Sequence, residues 1–467
     1  MAGIGFELKK VFNKKGVMSK VRASSYAGTV SAGPMLLGMC MLVLVRILAG
    51  RAGITKTDAM LISGMVTVCL ISSMIASSLI SLVVSRYASD QLYEKNHQKL
   101  LPAFYGSSAF GIVIAFFPFL LLLFILQLDL LDAGLFLFLF LELILIWNEM
   151  NFLTIIKSYK GIFFSFAVAL LCAVCAALLL FHIAESPKTA MIVAIILGFS
   201  TIFLLQYILL RRELPKGAGA DFEFLSWYKK YPLLPVTGVL MNLGLYIPII
   251  LVWLSPIGRN IVGRLYVAPD YDIATMFAFL TTLPVMIGFI GYVETEFHTY
   301  YRRFFYYLSH RGSLMELQQS QGVMLMVMKN GIYHLGVIQL GITVLCVSLV
   351  PKILIYLPLG FNNQVSDYFR LLCVAFGMYI LADLLHLLLL YFADYRGGFL
   401  VALVFALTST IATVGVIWSG NTNIYGFGFF LSAVIFFLVA MLRMEYFFPR
   451  LSYFLLSRQP ISRGEDA

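Results

Sequence analysis

The stretch PAFYGSSAFGIVIAFFPFLLLLFILQLDLLDAGLFLFLFLELILIWNEMNFLTIIKSYK, residues 102–160, decides the fold class. It contains two apolar runs, 102–126 and 131–156, which are separated only by a short polar gap and are followed by Lys157 and Lys160. A run of about 20 apolar residues is long enough to cross a bilayer as an α-helix. Two such runs joined by a tight turn therefore predict a pair of membrane-spanning helices.

The same pattern recurs along the whole chain of 467 residues, of which 61% are hydrophobic and only 12% are charged. Soluble domains contain about 25% charged residues, so this surface is suited to lipid rather than water. The sequence predicts an all-α polytopic membrane protein with about 12 transmembrane helices in two six-helix bundles. The predicted spans are 24–48, 59–85, 102–126, 131–156, 161–183, 189–210, 231–254, 272–293, 331–356, 368–393, 397–419 and 424–447.

The basic residues indicate which ends of the helices face the cytoplasm. With a cytoplasmic N-terminus, about 25 of the 33 Lys and Arg residues fall in the inside gaps and about six in the outside gaps. This asymmetry predicts that both termini are cytoplasmic. The formal net charge of +10 comes from residues that flank apolar runs. Anionic lipid headgroups attract such residues, so we expect the lipid bilayer as a partner and no nucleic acid.

The pattern of spans and charges also predicts the domain organisation. Six-helix halves are common in carriers, where the substrate path lies between the halves. Tyr, Phe and Arg residues are concentrated in segment 294–329, which is either a continuation of the eighth span or an interfacial helix. The predicted segments are a cytoplasmic amphipathic segment (1–23), an N-terminal bundle (24–210), a cytoplasmic linker (211–230), a C-terminal bundle (231–447, including the cytoplasmic segment 294–329) and a cytoplasmic tail (448–467).

No motif in the sequence indicates a cofactor, a metal or a catalytic centre. There is no P-loop, no HExxH and no glycine-rich dinucleotide turn. Cys172 and Cys175 have CxxC spacing, but they lie in the middle of a span without His or carboxylate neighbours, so we interpret them as packing residues. The outside gaps are short, which lowers the expectation of an enzyme acting on external glycans. We expect a transporter without a cofactor.

Polar residues inside the spans are the candidates for function, because they are costly in hydrocarbon and tend to face the interior of a bundle or a wet cavity. Asp383 and His386 are three residues apart and share a helical face with Tyr379 one turn earlier. Glu142 and Glu149 are seven apart and also share a face. The candidate substrate-path or coupling residues are Arg46, Glu142, Glu149, Asn242, Arg370, Tyr379, Asp383 and His386, and Asn148 lies beside them in the fourth span.

Two interpretations of these residues remain open. A carboxylate beside a His in a medium of low dielectric constant is suited to bind a proton or a cation. Alternatively, Asp383 and His386 pair with each other, or with Arg46 or Arg370, and only hold helices together. For Glu149 the position toward the cytoplasmic end favours a side chain that simply reaches water.

The start of the chain resembles a known family. MAGIGFELKK (residues 1–10), a basic stretch and then SSYAGTVSAGPMLLG (24–38) are similar to the opening of the Pel exopolysaccharide export proteins, the PelG family. The resemblance implies a twelve-helix protein like those of the multidrug/oligosaccharidyl-lipid/polysaccharide (MOP) flippase superfamily. It also implies transport of a polysaccharide rich in N-acetylgalactosamine across the bacterial cytoplasmic (inner) membrane. The implied partners are a cytoplasmic glycosyltransferase similar to PelF and membrane proteins similar to PelD and PelE; no site residue carries over from the family.

We therefore expect a polysaccharide transporter coupled to a cytoplasmic glycosyltransferase, with three alternatives. The first is an ion-coupled MATE-like exporter or a lipid-linked oligosaccharide exporter, which would depend on Asp383 or Glu142. The second is a membrane glycosyltransferase or polymerase, whose usual large loop with clustered Asp, Arg and His is not evident here. The third is a scaffold for a synthase complex, which would bind partners without moving polymer.

Overall fold

A computed structural model describes residues 17–184, 186–215, 217, 219–309, 313–354 and 362–456. The described chain is almost entirely helical. Residues 1–16 of the predicted amphipathic segment 1–23 lie outside the described residues. Residues 17–23 form the start of the first helix. The helices up to the middle of the chain are α1 (Val17–Arg51), α2 (Lys56–Tyr93), α3 (Leu100–Leu126), α4 (Leu130–Ile155), α5 (Tyr159–Ile183), α6 (Pro187–Glu213), the short α7 (Leu225–Lys230) and α8 (Leu233–Trp253).

The second part of the chain begins with a small β-hairpin and then returns to helices. The hairpin consists of β1 (Arg259–Val262) and β2 (Leu265–Val267), and Gly263 occupies its turn with a positive φ of 57°. A positive φ suits glycine, which has no Cβ to clash with the backbone. The following helices are α9 (Pro269–Leu280), α10 (Leu283–Tyr292), α11 (His298–Ser309), α12 (Leu314–Leu354), α13 (Asn363–Tyr391), α14 (Tyr395–Trp418), α15 (Phe427–Phe447) and α16 (Leu451–Leu456).

The structure confirms the prediction of a twelve-span helical protein. Within its described residues, 12 helical segments are long and apolar enough to cross a membrane. Two helices differ from the predicted spans because polar residues continue the helix beyond the apolar run. Helix α2 has 38 residues and α12 has 41, whereas about 20 residues cross a bilayer. At the start of α2, the Thr55 hydroxyl accepts a hydrogen bond from the Asp58 backbone N–H at 3.1 Å, which caps the helix.

Segment 294–329 is mainly helical. A π-helical stretch, Val293–Phe297, joins α10 to α11, and α12 begins at Leu314. The segment therefore includes a continuation of the eighth span, which is one of the two forms that the sequence favours.

The described chain divides into two compact units. The N-terminal unit comprises Gly28–Ile273 and Ser409–Tyr425. The C-terminal unit comprises the described residues of Met1–Ala27, Ala274–Thr408 and Gly426–Ala467. Helix α8, which corresponds to the seventh predicted span, belongs to the N-terminal unit. The organisation into two six-helix bundles stays a prediction.

Each unit has an apolar interior that follows the sequence pattern of its helices. In the N-terminal unit, the rings of Phe119 and Phe140 stack at a centroid distance of 3.8 Å where α3 meets α4. In the C-terminal unit, Val285, Leu335, Ile380 and others form a core where α10, α12 and α13 meet. Burial in this tightly packed apolar setting makes any polar side chain costly unless it finds a partner. The buried polar side chains inside the two units are therefore the candidates for a functional role.

Candidate functional site

From its midpoint onward, helix α4 carries three buried polar side chains: Glu142, Asn148 and Glu149. The rest of the helix, which begins at Leu130, is apolar apart from Asp132, Asn151 and Thr154. Consecutive side chains of a helix differ by about 100° in direction, and side chains seven positions apart share a face. Glu142 and Glu149 therefore point in one direction, and Asn148 points in another. Helix α4 therefore presents two polar surfaces inside the N-terminal unit.

The Asn148 surface faces α3 and is rich in hydrogen bonds. The Asn148 Nδ2 amide donates to the hydroxyls of Ser107 at 2.9 Å and Ser108 at 2.8 Å, and to the Phe104 carbonyl at 3.4 Å. On the side toward α2, Trp147 Nε1 donates to the Ser73 hydroxyl at 3.0 Å. These bonds fix α2, α3 and α4 around one polar layer.

A small cavity lies within this polar layer. Nine residues of α2, α3 and α4 line it: Ser77, Ser81, Ser107, Trp147, Asn148 and Asn151, with Ile80, Gly111 and Ile144. Six of these nine side chains carry a hydrogen-bonding group, so the pocket places polar groups between three helices of the N-terminal unit.

The second surface of α4 carries the two carboxyl groups. The Ser200 hydroxyl on α6 donates a hydrogen bond to Glu142 Oε1, whereas Glu142 Oε2 has no partner among the described residues. Glu149 is 0% exposed, and neither of its carboxyl oxygens has a described partner. The expectation that Glu149 reaches water is wrong, because the packing of the neighbouring helices covers the side chain.

Asn242, on α8, has a local partner. Its Nδ2 donates to the Gly238 carbonyl one turn earlier in the same helix, at 3.2 Å, and the side chain is half-buried. This bond uses a carbonyl of its own helix, so it does not connect Asn242 to another element.

In the C-terminal unit, α13 carries Tyr379, Asp383 and His386 on one face, as the spacing predicts. His386 is 2% exposed, and its Nε2 has no described hydrogen-bond partner. Asp383 is half-buried. The two side chains form neither a hydrogen bond nor an ion pair within 4 Å of each other in the described chain, so the predicted mutual pairing is absent there.

Aromatic rings surround this face of α13. The Tyr379 ring lies 5.6 Å from that of Phe405 and 6.0 Å from that of Phe436, between centroids. The His386 ring lies 6.3 Å from Phe436. Aromatic faces of this kind pack well against one another and offer no hydrogen-bond acceptor for an imidazole N–H. On the side of Phe436, the environment of His386 is therefore aromatic.

The two candidate arginines lie at exposed positions. The Arg370 guanidinium is 3.6 Å from the Asp367 carboxylate, and the two side chains are 48% and 64% exposed. Arg370 thus pairs with its near neighbour instead of Asp383 or His386. Arg46 is exposed on α1. Exposed pairs contribute little to stability, since water competes for both charges.

Sequence reasoning missed a buried ion pair in each unit. In the C-terminal unit, Arg443 Nε donates to Asp394 Oδ2 at 2.7 Å and its Nη2 donates to Oδ1 at 2.9 Å. Asp394 is 2% exposed and also accepts the Gly397 backbone N–H, which caps α14. In the N-terminal unit, Lys188 pairs with the buried Asp132. The Asp-x-x-Gly sequence could indicate the cap, but no local signal links residues 49 positions apart.

The segment between α6 and α8 is docked onto the N-terminal unit. The Asp221 backbone N–H donates to the Pro102 carbonyl at 3.0 Å, and Trp227 Nε1 donates to Asp90 at 3.0 Å. Lys99 Nζ donates to Glu223 at 2.7 Å, which lowers the pKa of that carboxyl below its ordinary value. The sequence shows this region as a polar linker; the structure shows that it is held against the ends of α2 and α3.

The described residues contain no group of three or more His, Cys, Asp or Glu side chains placed to hold a metal ion. The side chains at the sites described above offer hydrogen bonding, titratable groups and aromatic rings for stacking. Those interactions suit transport of a hydrophilic molecule through an apolar protein interior.

Comparison with solved structures identifies the fold. The eukaryotic MATE transporter AtDTX14 superposes with a TM-score of 0.59 at 10% identity, over 93% of this chain and 98% of that one. A MOP superfamily transporter from Pyrococcus furiosus gives a TM-score of 0.60 at 10% identity, over 93% and 97%. A MATE structure in the bent conformation gives 0.60 at 11% identity, over 97% and 100%. The fold is that of the MOP and MATE transporters.

A family comparison narrows the class further. The model of the family described as "PelG: Putative exopolysaccharide Exporter (EPS-E)" matches residues 1–455. The chain belongs to this family. No curated protein matches the sequence. The protein is therefore a multi-pass membrane transporter of exopolysaccharide, and the alternative of a membrane glycosyltransferase or polymerase is set aside because the family is one of exporters.

Proposed function

We propose that the protein carries a Pel-type exopolysaccharide, rich in N-acetylgalactosamine, across the bacterial cytoplasmic membrane, with both of its termini in the cytoplasm. The observation that carries the proposal is the family match over residues 1–455. The asymmetry of Lys and Arg between alternate gaps supports the orientation, since cytoplasmic loops are enriched in these residues.

The proposal includes partners that supply the polymer: a cytoplasmic glycosyltransferase similar to PelF and membrane proteins similar to PelD and PelE. Helix α11 supports a protein contact on that side. Its Phe304 is fully buried, whereas Arg302, Arg303 and Tyr306 are exposed. Exposed Arg and Tyr side chains are enriched at protein interfaces, because they combine broad contact surfaces with hydrogen bonding.

The polar positions of α4 and α13 are the proposed substrate-path or coupling residues. Glu142 and Glu149 provide buried carboxyl groups, Asp383 provides a half-buried carboxyl group, and His386 provides an imidazole beside Phe436. Tyr379 adds a ring that is suited to stack on the apolar face of a sugar. Arg46, Asn242 and Arg370 have surroundings that favour local roles: exposure, a bond within the helix and a surface ion pair.

A second candidate function is ion-coupled export of a smaller molecule or of a lipid-linked oligosaccharide. The unpaired carboxyl oxygens of Glu149 favour an ion-coupled mechanism, since an ionised carboxylate without a partner is costly in an apolar interior. This candidate shares the coupling chemistry of the first and differs in the cargo.

Deletion of the gene tests the proposed function. Polymer is measured separately inside the cells and on their surface, in the deletion strain and in the strain complemented with the wild-type chain. We expect surface polymer to be lost while polymer or its precursors remain inside. Unchanged surface polymer would contradict the proposal, and unchanged polymer together with increased sensitivity to toxic small molecules would favour the second candidate.

A further inference from the structure

Two buried side chains on neighbouring helices of the N-terminal unit lack hydrogen-bond donors. Glu149 on α4 is 0% exposed, and both of its carboxyl oxygens are without a described partner. Gln206 on α6 is also 0% exposed, and its Oε1 has no described donor. Buried acceptors are almost always satisfied in native proteins, so each of these oxygens requires an explanation.

The orientation of the Gln206 amide follows from its neighbour Ser165 on α5. The Ser165 hydroxyl donates its proton to the Ile162 carbonyl at 2.7 Å, so its oxygen is left to accept. Gln206 Nε2 donates to that oxygen at 3.2 Å. Turning the amide over would place two acceptors against each other. Oε1 is therefore the amide atom that lacks a partner.

The register of α4 and α6 places Gln206 at the level of Glu149. The two helices are separated in the chain by one helix, α5, joined by short turns, so they run in the same direction. Two contacts fix their alignment: Asp132 with Lys188, 56 positions later, and Glu142 with Ser200, 58 positions later. The same offset carries Glu149 to residues 205–207 of α6. The unsatisfied amide oxygen and the unsatisfied carboxyl group thus occupy the same layer.

A proton on Glu149 would supply a donor at the level of the unsatisfied Gln206 oxygen. An ionised carboxylate only accepts hydrogen bonds, whereas a protonated carboxyl group has one O–H donor. We infer that Glu149 is a proton-binding site, which holds one proton when the helices pack in this way and donates it to the Gln206 amide oxygen. The inference about the proton stands on the local geometry; its use in driving export rests on the proposed function.

No cation in the described chain pairs with Glu149. Glu142 lies two turns away on the same helix and accepts from Ser200. The hydroxyls of Tyr105 and Tyr207 pair with each other, 3.2 Å apart. The titratable and charged groups on the cytoplasmic halves and ends of the helices packed around α4 are Arg86, Tyr87, Asp90 and Tyr93 on α2, Tyr105 on α3, Tyr159 and Lys160 on α5, and Tyr207, Arg211, Arg212 and Glu213 on α6.

Infrared spectroscopy of the full-length protein in lipid vesicles tests the site without any polysaccharide. A protonated carboxyl group has a C=O stretching band distinct from that of a carboxylate. The spectrum of the wild type minus that of Glu149→Gln at neutral pH is expected to contain this band. Glu142→Gln serves as the matched control and should leave the Glu149 band in place. Absence of the band from the first difference spectrum would overturn the inference.

Two further variants protect this test against loss of folding. Glu149→Gln keeps the shape of the side chain and supplies an N–H donor for Gln206, so its melting temperature should match that of the wild type. Gln206→Leu removes the acceptor, and the Glu149 band should shift because its hydrogen bond is lost. An unshifted band in folded Gln206→Leu protein would overturn the assignment of Gln206 as the partner.

Export of polymer in the same variants distinguishes this site from the proposed function. If the band is lost and surface polymer falls in Glu149→Gln cells, the site and its coupling role are both supported. If the band is lost but export is unchanged, the proton site is supported and its coupling role is overturned. If the band is missing from the wild type while deletion of the gene still abolishes surface polymer, the proton site is overturned and the proposed function stands.

Discussion

The polar layer of α4 and the aromatic face of α13 differ in whether their buried polar side chains have hydrogen-bond partners. Around α4, Asn148 donates to Ser107, Ser108 and a backbone carbonyl, so most of the buried polar atoms have partners. Around α13, His386 lies among aromatic rings, and its Nε2 has no described partner. In the sequence, the two regions look similar, since both contain ionisable residues within apolar helices. In the structure, the polar layer of α4 is a hydrogen-bonded network and the face of α13 is not.

This difference separates a structural role from a functional one. A satisfied network is expected to specify helix packing, since removing one member leaves the others unpaired. A buried titratable group without a partner contributes little to packing and is retained at a cost in stability. By this criterion, Asn148 is a structural residue, whereas Glu149 and His386 are the stronger candidates for transport. Variants at these and related positions test this assignment of roles.

The largest effect is expected at the buried ion pair of the C-terminal unit. Arg443→Ala would leave Asp394 buried without its cation, which costs about 3–5 kcal/mol. Arg370→Ala, which breaks an exposed pair, is the control and should cost at most about 1 kcal/mol. Thermal unfolding of the purified variants in detergent would show the difference. Equal melting temperatures for the two variants would contradict the importance of the Asp394 cap.

The next effect concerns the polar layer of α4. Asn148→Leu removes the hydrogen bonds to Ser107 and Ser108 and leaves their hydroxyls beside an apolar side chain, so we expect a loss of about 1–3 kcal/mol. The matched control is Asn242→Leu, which gives up only a bond to its own helix. Its melting temperature should stay close to that of the wild type. A larger loss in Asn242→Leu than in Asn148→Leu would reverse the assignment of roles.

The aromatic face of α13 should show the opposite pattern. His386→Phe replaces an imidazole whose Nε2 has no described partner with a ring that suits its neighbours, so we expect stability to change by less than about 1 kcal/mol. Export of polymer should fall if the imidazole serves the substrate path or coupling. Surface polymer and melting temperature are measured together, with Tyr379→Phe as the control for a change within the same aromatic cluster. A strongly destabilised His386→Phe protein would indicate a structural role instead.

The smallest effect is expected at the docked linker, and it depends on pH. The hydrogen bond from Lys99 lowers the pKa of Glu223 in the folded protein, so the folded state binds a proton less readily than the unfolded state does. The resulting stabilisation is complete above the ordinary Glu value of about 4.3 and is lost as the pH falls through the lower, folded pKa. The difference in melting temperature between wild type and Glu223→Gln should be present at neutral pH and vanish in acid. A difference that is independent of pH would argue against this ion pair.

The sequence predicts the helical spans well because their signal is local. Each apolar run, such as 131–156, carries the whole information that its helix needs to be assigned to the membrane. The β-hairpin at 259–267 is not predicted, because its two strands contain only four and three residues and the turn at Gly263 gives a weak signal. The extension of α12 to Leu314 is missed because its first turns are polar and resemble a loop.

The sites are predicted less completely, because partners lie far apart in the chain. Spacing alone places Asp383 and His386 on one face, but it cannot show that they do not pair. The burial of Glu149 depends on how α5 and α6 pack against α4. The ion pair between Asp394 and Arg443 joins residues 49 positions apart. Such contacts arise from tertiary packing, which the local periodicity of the sequence does not predict.

The most direct test of the account is transport by the purified protein. Proteoliposomes that contain the full chain are incubated with labelled exopolysaccharide fragments, and a glycoside hydrolase is then added outside. The account predicts a fraction of polymer that is protected inside the vesicles with the wild type and is reduced to the level of protein-free vesicles with His386→Phe. Equal protection with and without the protein would contradict the claim that this chain moves polysaccharide across a membrane.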